Sequence, residues 1–166
     1  SRAPANMFGA RECSYHGGMY NGKCSCTGGW SGDQCQTRSG YAWFDENEKK
    51  YDKYAKIACT KRLSASMHYA DRWIRATARI IMERYPVTDQ TMVYDACMGC
   101  GGYQRALREH ANIKVYGCDV STKMAVFARD KITDGTFIGG ACTYPPSPFL
   151  PDETFGVVIV GACFNN

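Results

Sequence analysis

The sequence predicts an α/β fold in which a doubly wound parallel sheet, incomplete with about four strands, is preceded by a small disulfide-rich module. Strand and helix patterns alternate from residue 91 onward, and a glycine-rich turn follows the first strand pattern. Residues 13–35 hold four cysteines and six glycines but almost no aliphatic side chains. A segment of that composition cannot build an apolar core, so it needs covalent crosslinks to hold a shape.

The bulk composition excludes several classes of function. A net charge of +4 is too small to indicate nucleic acid binding, and the longest apolar run is far too short to cross a bilayer. Ten cysteines in 166 residues favour an oxidising compartment, so we expect a secreted protein. No signal peptide is visible in the sequence, which begins at Ser1, so we expect a mature or trimmed chain.

The composition changes near residue 40, and this change suggests the domain boundaries. We expect an N-terminal tail over 1–12, the cysteine-rich module over 13–35, a linker over 36–44 and the larger domain over 45–166. Within the module, the Asn–Gly pair of YNGK (20–23) predicts a hairpin turn, since this pair favours the left-handed conformations that such a turn requires.

The larger domain begins with helical patterns and continues with alternating ones. An apolar face with spacings of three and four residues predicts a helix over 64–84, and Pro86 lies just beyond its end. Strands are expected at 91–96, 113–119, 136–140 and 155–162, with helices at 103–111 and 121–131. Such alternation predicts parallel strands joined by right-handed crossovers.

The cysteine-rich module carries a specific motif, C-x-C-x-x-G-W-x-G-x-x-C, over residues 24–35. It resembles an EGF-like domain of the short, tenascin type. The resemblance implies bridges Cys13–Cys24 and Cys26–Cys35, with one bridge lost because Met19 occupies the position of a cysteine. The alternative is a zinc site formed by these cysteines and His16. The C-x-C spacing favours the EGF-like reading, and we predict no metal site.

The stretch VYDACMGCGG (93–102) has the pattern of a strand followed by a glycine-rich turn. Gly99 and Gly101 permit a sharp turn and a close approach of the backbone to a ligand. Asp119 follows Asp95 by 24 residues, at the end of the second strand pattern, where an acidic side chain can accept both hydroxyls of a ribose.

Together with the run G-x-D-x-S-x-x-M-x-x-x-A (117–128), this stretch resembles motif I and the acidic motif of class I S-adenosylmethionine (SAM)-dependent methyltransferases, which have a Rossmann-like fold. The nearest resemblance is to the Williams-Beuren-region methyltransferase-like proteins, over residues 44–166. It implies that Asp95, Gly99 and Gly101 line the methionine end of SAM and that Asp119 holds the ribose. The sequence indicates no catalytic residue.

Three departures from that family are informative. Gly140 stands where the family usually has an acidic residue that contacts adenine, and Gly156 replaces a common aspartate. The sequence stops just after the fourth strand pattern, so half a sheet would leave an exposed edge. We therefore expect a partner, either another protein or the remaining C-terminal half of the same precursor.

Six further cysteines follow residue 40. With the family's strand order 3-2-1-4, Cys118 can reach Cys142, and Cys163 can reach Cys97 or Cys100. The alternatives are buried free thiols, or a redox or metal pair formed by Cys97 and Cys100.

Two functions follow from these observations. The first is a secreted, non-catalytic binding or structural assembly component, favoured by the EGF-like module, Gly140 and the cysteines around the cleft. The alternative is an active SAM-dependent methyltransferase, favoured by the intact Gly99, Gly101 and Asp119. SAM is made inside cells, so we expect the first.

Overall fold

The computed structural model describes residues 6–60, 65–142 and 155–160. The N-terminal module contains two small antiparallel hairpins, formed by strands β1 (Gly17–Tyr20) and β2 (Lys23–Cys26) and by strands β3 (Trp30–Ser31) and β4 (Thr37–Arg38). The structure has the bridges Cys13–Cys24 and Cys26–Cys35. All four cysteines are thus in disulfides, which removes them as zinc ligands.

The larger domain contains the strands predicted from residue 91 onward and the helices predicted over 64–84, 103–111 and 121–131, and a further helix begins at Ala42, before the helical pattern that starts at residue 45. Its helices are α1 (Ala42–Thr60), α2 (Ala65–Arg84), α3 (Gly102–Arg108) and α4 (Thr122–Lys131), and its strands are β5 (Met92–Asp95), β6 (Lys114–Asp119), β7 (Thr136–Gly139) and β8 (Val157–Ile159). The four strands form one parallel sheet in the order β7-β6-β5-β8. The predicted four-stranded α/β sheet and its strand order are confirmed. No described helix is long and apolar enough to cross a membrane.

The two faces of the sheet are covered by different parts of the chain. Val93, Val115 and Phe137 point to one face and are buried against α2, α3 and α4. Their neighbours Tyr116 and Ile138 point to the other face, since side chains alternate along a strand. There they pack with residues of the N-terminal segment, namely Met7, Phe8, Ala10 and Tyr15. The N-terminal segment therefore supplies the described cover of the second face.

The module also covers the outer edge of β7, the first strand of the sheet order. The backbone amide of Gly139 donates to the Tyr15 carbonyl at 2.9 Å, and the amide of Ala141 donates to the Gly28 carbonyl at 2.9 Å. The Thr27 hydroxyl donates to the Gly139 carbonyl at 3.0 Å. An edge strand exposes unpaired backbone groups, so these bonds satisfy groups that would otherwise require water or another chain.

A stack of aromatic and charged side chains joins the module to α1. The His16 and Trp30 rings are parallel with centroids 3.5 Å apart, and the Arg38 guanidinium lies 4.5 Å from the centroid of the Trp30 ring. Arg38 also pairs with Glu48 of α1, and Trp30 meets Phe44 edge to face at 6.0 Å. Guanidinium–aromatic contacts of this kind hold the expected linker against the larger domain.

Candidate functional site

The predicted site residues meet at one edge of the sheet. Asp95 is the last residue of β5 and Asp119 is the last residue of β6, and parallel neighbours end at the same edge. The loop after β5 turns toward the end of β6, where the backbone amide of Gly99 donates to Asp119 Oδ2 at 2.9 Å. The structure therefore brings Asp119 and the glycine-rich loop into direct contact across the candidate cleft.

The two loop glycines have conformations that other residues adopt only with strain. Gly99 has φ 54° and Gly101 has φ 77°. Gly101 precedes α3 as its N-cap residue, so its left-handed conformation turns the loop into the helix. A Cβ atom added at Gly99 would meet nothing closer than Met124 Sδ at 4.0 Å. The space beside the Gly99 backbone is therefore open, as close approach of a ligand requires.

Asp95 is buried beneath this loop. Its Oδ2 accepts a hydrogen bond from Gln104 Nε2 at 2.9 Å, and its Oδ1 accepts one from the Cys97 amide at 3.3 Å. Burial raises the pKa of Asp95 to about 7, and the nearby Asp119 adds to the rise, while the two hydrogen bonds act in the opposite direction. At neutral pH this carboxyl is therefore poised between its protonated and ionised forms.

Gln104, on α3, is also fully buried and has one unused polar atom. Its Oε1 finds no hydrogen-bond donor among the described residues. A buried acceptor without a donor is costly, and a ligand carrying an N–H group would satisfy it. Asp95 and Gln104 thus form a buried, hydrogen-bonded pair beneath the loop.

Asp119 is held by backbone donors from both sides. Besides Gly99, the Ser121 amide donates to its Oδ1 at 2.8 Å. Burial raises the pKa of Asp119, and these two bonds oppose the rise by favouring the charged form. A carboxylate can accept about four hydrogen bonds, so Asp119 retains acceptor capacity for a ligand.

Helix α1 packs against α4 and is hydrogen-bonded to its start. Asp52 Oδ1 accepts from the Ser121 hydroxyl at 2.5 Å and from the Lys123 amide at 3.2 Å. One turn earlier, Glu48 Oε1 accepts from the Thr122 hydroxyl at 2.6 Å. These bonds place α1 as a cover beside the cleft.

Disulfides surround the cleft. Cys118 is bonded to Cys142, the pair that strand order makes reachable, and Cys97 is also disulfide-bonded. Cys100 is bonded to Cys59, so the expected pairing of Cys100 with Cys163 is wrong. The reason is that the last turn of α1 brings Cys59 to the glycine-rich loop, a contact that no local pattern encodes. Cys163 lies outside the described residues.

The same disulfides decide between the alternatives for these cysteines. Cys59, Cys97, Cys100, Cys118 and Cys142 are all bonded, so the free-thiol alternative is wrong for them. A redox or metal pair formed by Cys97 with Cys100 is wrong as well, since Cys100 has Cys59 as its partner. Within the described ranges, no cluster of three or more potential metal-binding side chains occurs.

Gly140 takes part in the docking of the N-terminal module. Its amide donates to the Asp119 carbonyl at 3.0 Å, and its φ is 150°. A Cβ atom at this position would overlap the Thr27 side chain. An acidic side chain therefore has no room at residue 140, and the module stands where that side chain would project.

Three contributors to the site were not predicted from the sequence: Gln104, Asp52 and the disulfide between Cys59 and Cys100. Gln104 gave one signal, because it lies on the same helix face as Leu107 and Arg108, three and four residues later, close to the core. Asp52 and Glu48 are four residues apart and thus share a helix face, but their partners on α4 depend on tertiary packing.

Comparisons with known proteins agree with this geometry. Residues 95–166 match the family described as "Methyltransferase domain". A demethylmenaquinone methyltransferase of Thermotoga maritima is 30% identical over 124 residues, which cover 74% of this chain and 48% of that protein. The chain therefore spans about half the length of this curated relative.

Solved structures are similar over part of the chain. A Methanococcus maripaludis protein described as a SAM-dependent methyltransferase is 17% identical with a TM-score of 0.48, covering 72% of this chain and 51% of that one. Magnesium protoporphyrin IX methyltransferase of Synechocystis PCC 6803, solved with bound S-adenosylhomocysteine (SAH), is 15% identical with a TM-score of 0.46, covering 59% and 49%. Residues 95–166 thus match a methyltransferase domain, and the four-stranded parallel sheet with its glycine-rich loop fits the Rossmann-like α/β fold of such domains.

Proposed function

We propose that the chain belongs to a SAM-dependent methyltransferase and binds SAM at the edge of the sheet where the glycine-rich loop and Asp119 meet. One observation carries the proposal: the Gly99 amide and the Asp119 carboxylate face each other at 2.9 Å at the ends of adjacent parallel strands. This is the crevice in which open α/β sheets bind nucleotide-like ligands. The family match supports the enzymatic reading over the non-catalytic role expected from the sequence.

The residues present fit the parts of such a ligand. Asp119 has spare acceptor capacity for ribose hydroxyls. Asp95 and the unpaired Gln104 Oε1 suit the ammonium of an amino acid group, because both present acceptors in a buried site. Gly99 leaves the space for a close backbone contact.

The chemistry comes from the ligand, since the methyl group of SAM is activated by its attachment to a sulfonium. The residues of this chain bind and orient. Gly99 and Gly101 shape the loop, Asp119 fixes the position of the ribose, and the α1 cover limits access of water. Catalysis of this kind rests mainly on placing an acceptor in line with the bond that breaks.

Isothermal titration of the purified chain with SAH tests the proposal. We expect micromolar binding by the wild-type protein and a loss of at least tenfold in Asp119→Ala, because removing two charge-assisted hydrogen bonds costs about 1.5–3 kcal/mol. Asp119→Asn keeps an acceptor for the Gly99 amide and serves as a variant that maintains the fold. Asp33→Ala, an exposed aspartate in the module, is the matched control. Absence of heat with the wild-type protein would contradict the proposal.

We also propose that the module is EGF-like and that the protein matures in an oxidising compartment, as a secreted protein. The support is the disulfide pairing Cys13–Cys24 and Cys26–Cys35, together with two bridges around the cleft. Such a density of disulfides is rare in reducing compartments. Alkylation of the native protein followed by mass spectrometry tests it. Incorporation of label at the half-buried Cys24 or Cys26 before reduction would contradict the proposal.

A further inference from the structure

The Cys59–Cys100 disulfide joins the two structures that border the candidate cleft. Cys59 lies in the last turn of α1, and Cys100 lies between the two loop glycines, Gly99 and Gly101. Its Cα atoms are 5.4 Å apart, and 41 residues separate the two cysteines along the chain. The bridge therefore fixes the end of α1 directly on the part of the loop that faces Asp119.

The rest of α1 is held by the buried Phe44, which packs against Trp30, and by polar contacts. Asp52 is bonded to Ser121 and Lys123, and Glu48 is bonded to Thr122 and Arg38. These contacts lie about two and three turns before Cys59, over the start of α4. Breaking the disulfide would leave them in place while releasing the last turn of the helix from the loop. The contacts of Asp52 and Glu48 thus hold the middle of α1 on α4, and the disulfide holds its C-terminal end on the glycine-rich loop.

The accessibility of this bridge differs from that of the other described bridges. In each of the other bridges with both cysteines described, one cysteine is fully buried and its sulfur atom is inaccessible. These buried cysteines are Cys13, Cys35 and Cys118. Cys59 and Cys100 are both only half-buried. A thiolate can approach either sulfur atom of the Cys59–Cys100 bridge, but only one sulfur atom of each other bridge with both cysteines described, so exchange is expected to be faster at Cys59–Cys100.

We propose that the Cys59–Cys100 disulfide is a thiol–disulfide exchange site that latches α1 over the cleft and is opened by a dithiol reductant. A thiolate of the dithiol attacks the sulfur of Cys59 or Cys100, the S–S bond breaks, and the released cysteine thiolate takes a proton. The second thiol of the dithiol then attacks the mixed disulfide. Two cysteine thiols form while the dithiol is oxidised to its disulfide.

Opening the latch has a defined local consequence. The loop keeps one crosslink, through Cys97, so it does not lose its attachment to the fold. Gly99 and Gly101 gain freedom, because the residue between them is no longer tied to α1. The part of the inference that concerns ligand access rests on the proposed SAM site, whereas the opening itself does not.

Graded reduction of the full chain tests the opening. The protein is treated with increasing dithiothreitol, alkylated with iodoacetamide, and mapped by peptide mass spectrometry. We expect Cys59 and Cys100 to be labelled first, and amide hydrogen exchange over residues 97–101 and the last turn of α1 to rise at least tenfold in the same samples. Earlier labelling of Cys24, Cys26 or Cys142 would overturn the proposal, as would opening without faster exchange.

A variant pair separates this inference from the proposed function. Cys59→Ser with Cys100→Ser is expected to reproduce the faster exchange without reductant and to raise the association rate of SAH several-fold in stopped-flow measurements. Cys26→Ser with Cys35→Ser, which removes a bridge of the module, should change neither quantity at the loop. If SAH binds neither protein while exchange rises as expected, the proposed function fails and the latch stands. If SAH binds both at equal rates, the latch does not control access.

Discussion

Thr27 lies against Gly140 so closely that no side chain can be placed at residue 140. The Thr27 hydroxyl lies 2.9 Å from the His16 carbonyl and 3.0 Å from the Gly139 carbonyl, so it joins the module to the end of β7. The next amide, that of Gly140, donates to the Asp119 carbonyl. The module and the candidate cleft are thereby connected through two consecutive residues.

Replacing Thr27 tests that connection. Thr27→Val removes a hydroxyl that bonds a buried carbonyl, and we expect a loss of about 1–2 kcal/mol in the free energy of unfolding, measured by urea denaturation. Thr37→Val, at an exposed strand position of the same module, is the matched control and should change it by less than about 0.5 kcal/mol. Equal stabilities of the two variants would contradict a docking role for Thr27.

The pKa of Asp95 predicts a dependence of stability on pH. Its pKa is about 7 in the folded protein and 3.8 as the ordinary value, so the folded state retains a proton that the unfolded state releases between these pH values. The contribution of Asp95 to stability therefore falls as the pH rises from about 4 to about 7 and then levels off, by at most about 4 kcal/mol, while the lowered pKa of His16 acts in the opposite direction below about 6.5. Thermal unfolding across pH 4–8 measures this trend.

Asp95→Asn is the variant that checks the assignment. An asparagine keeps an acceptor for Gln104 Nε2 but does not ionise. The decline in stability between pH 4 and 7 should become smaller, without vanishing, because the pKa of Asp119 is raised as well. A variant whose decline is as steep as that of the wild-type protein would show that Asp95 is not the group responsible.

Gly99 and Gly22 form a matched pair for testing the loop. Both have positive φ, 54° and 76°, and a Cβ at either meets nothing closer than 4.0 Å. Gly99→Ala and Gly22→Ala should therefore destabilise the protein similarly, by about 1 kcal/mol each. Only Gly99→Ala should weaken SAH binding in calorimetry, because its side chain enters the open space beside the loop. An equal affinity for SAH in both variants would contradict the role of Gly99.

Ser121 stabilises both α4 and the α1 cover. Its hydroxyl accepts from the Met124 amide at 3.2 Å as an N-cap and donates to Asp52 at 2.5 Å. Ser121→Ala should lower the free energy of unfolding by about 1–2 kcal/mol in urea denaturation, because a cap and a charge-assisted bond are lost together. Ser39→Ala, at an exposed position, is the control. A loss no larger than that of the control would show that the cap contributes nothing.

Much of the fold could be predicted from local patterns. Short apolar stretches alternating with helical periodicity identified the four strands of the described sheet, and the resemblance to the methyltransferase family gave their order. The strands are shorter than predicted. For example, β8 spans Val157–Ile159, whereas the sequence predicts a strand over 155–162. Strand ends depend on pairing partners, which a single segment does not encode.

Residues of the candidate site could be predicted only where a local sequence pattern, such as a strand end or a glycine-rich turn, identifies them. Asp95, Gly99, Gly101 and Asp119 sit at strand ends and turns, so their spacing revealed them. Gln104 was not found because its role depends on the burial of one side of α3. The Cys59–Cys100 bridge was not found because it joins segments 41 residues apart, and sequence spacing says nothing about that distance in space.

The sequence by itself determined the parallel sheet, the glycine-rich loop and the acidic residue opposite it, because periodicity, turn chemistry and strand polarity are local properties of the chain. Only the tertiary structure decided how the N-terminal module is used. Its residues 7–15 cover the second face of the sheet, and Thr27 and Gly28 cover the edge of β7. The physical reason is that many surfaces could bury an apolar face or hydrogen-bond to an unpaired strand edge. Only the packing of the whole chain determines which surface occupies each place.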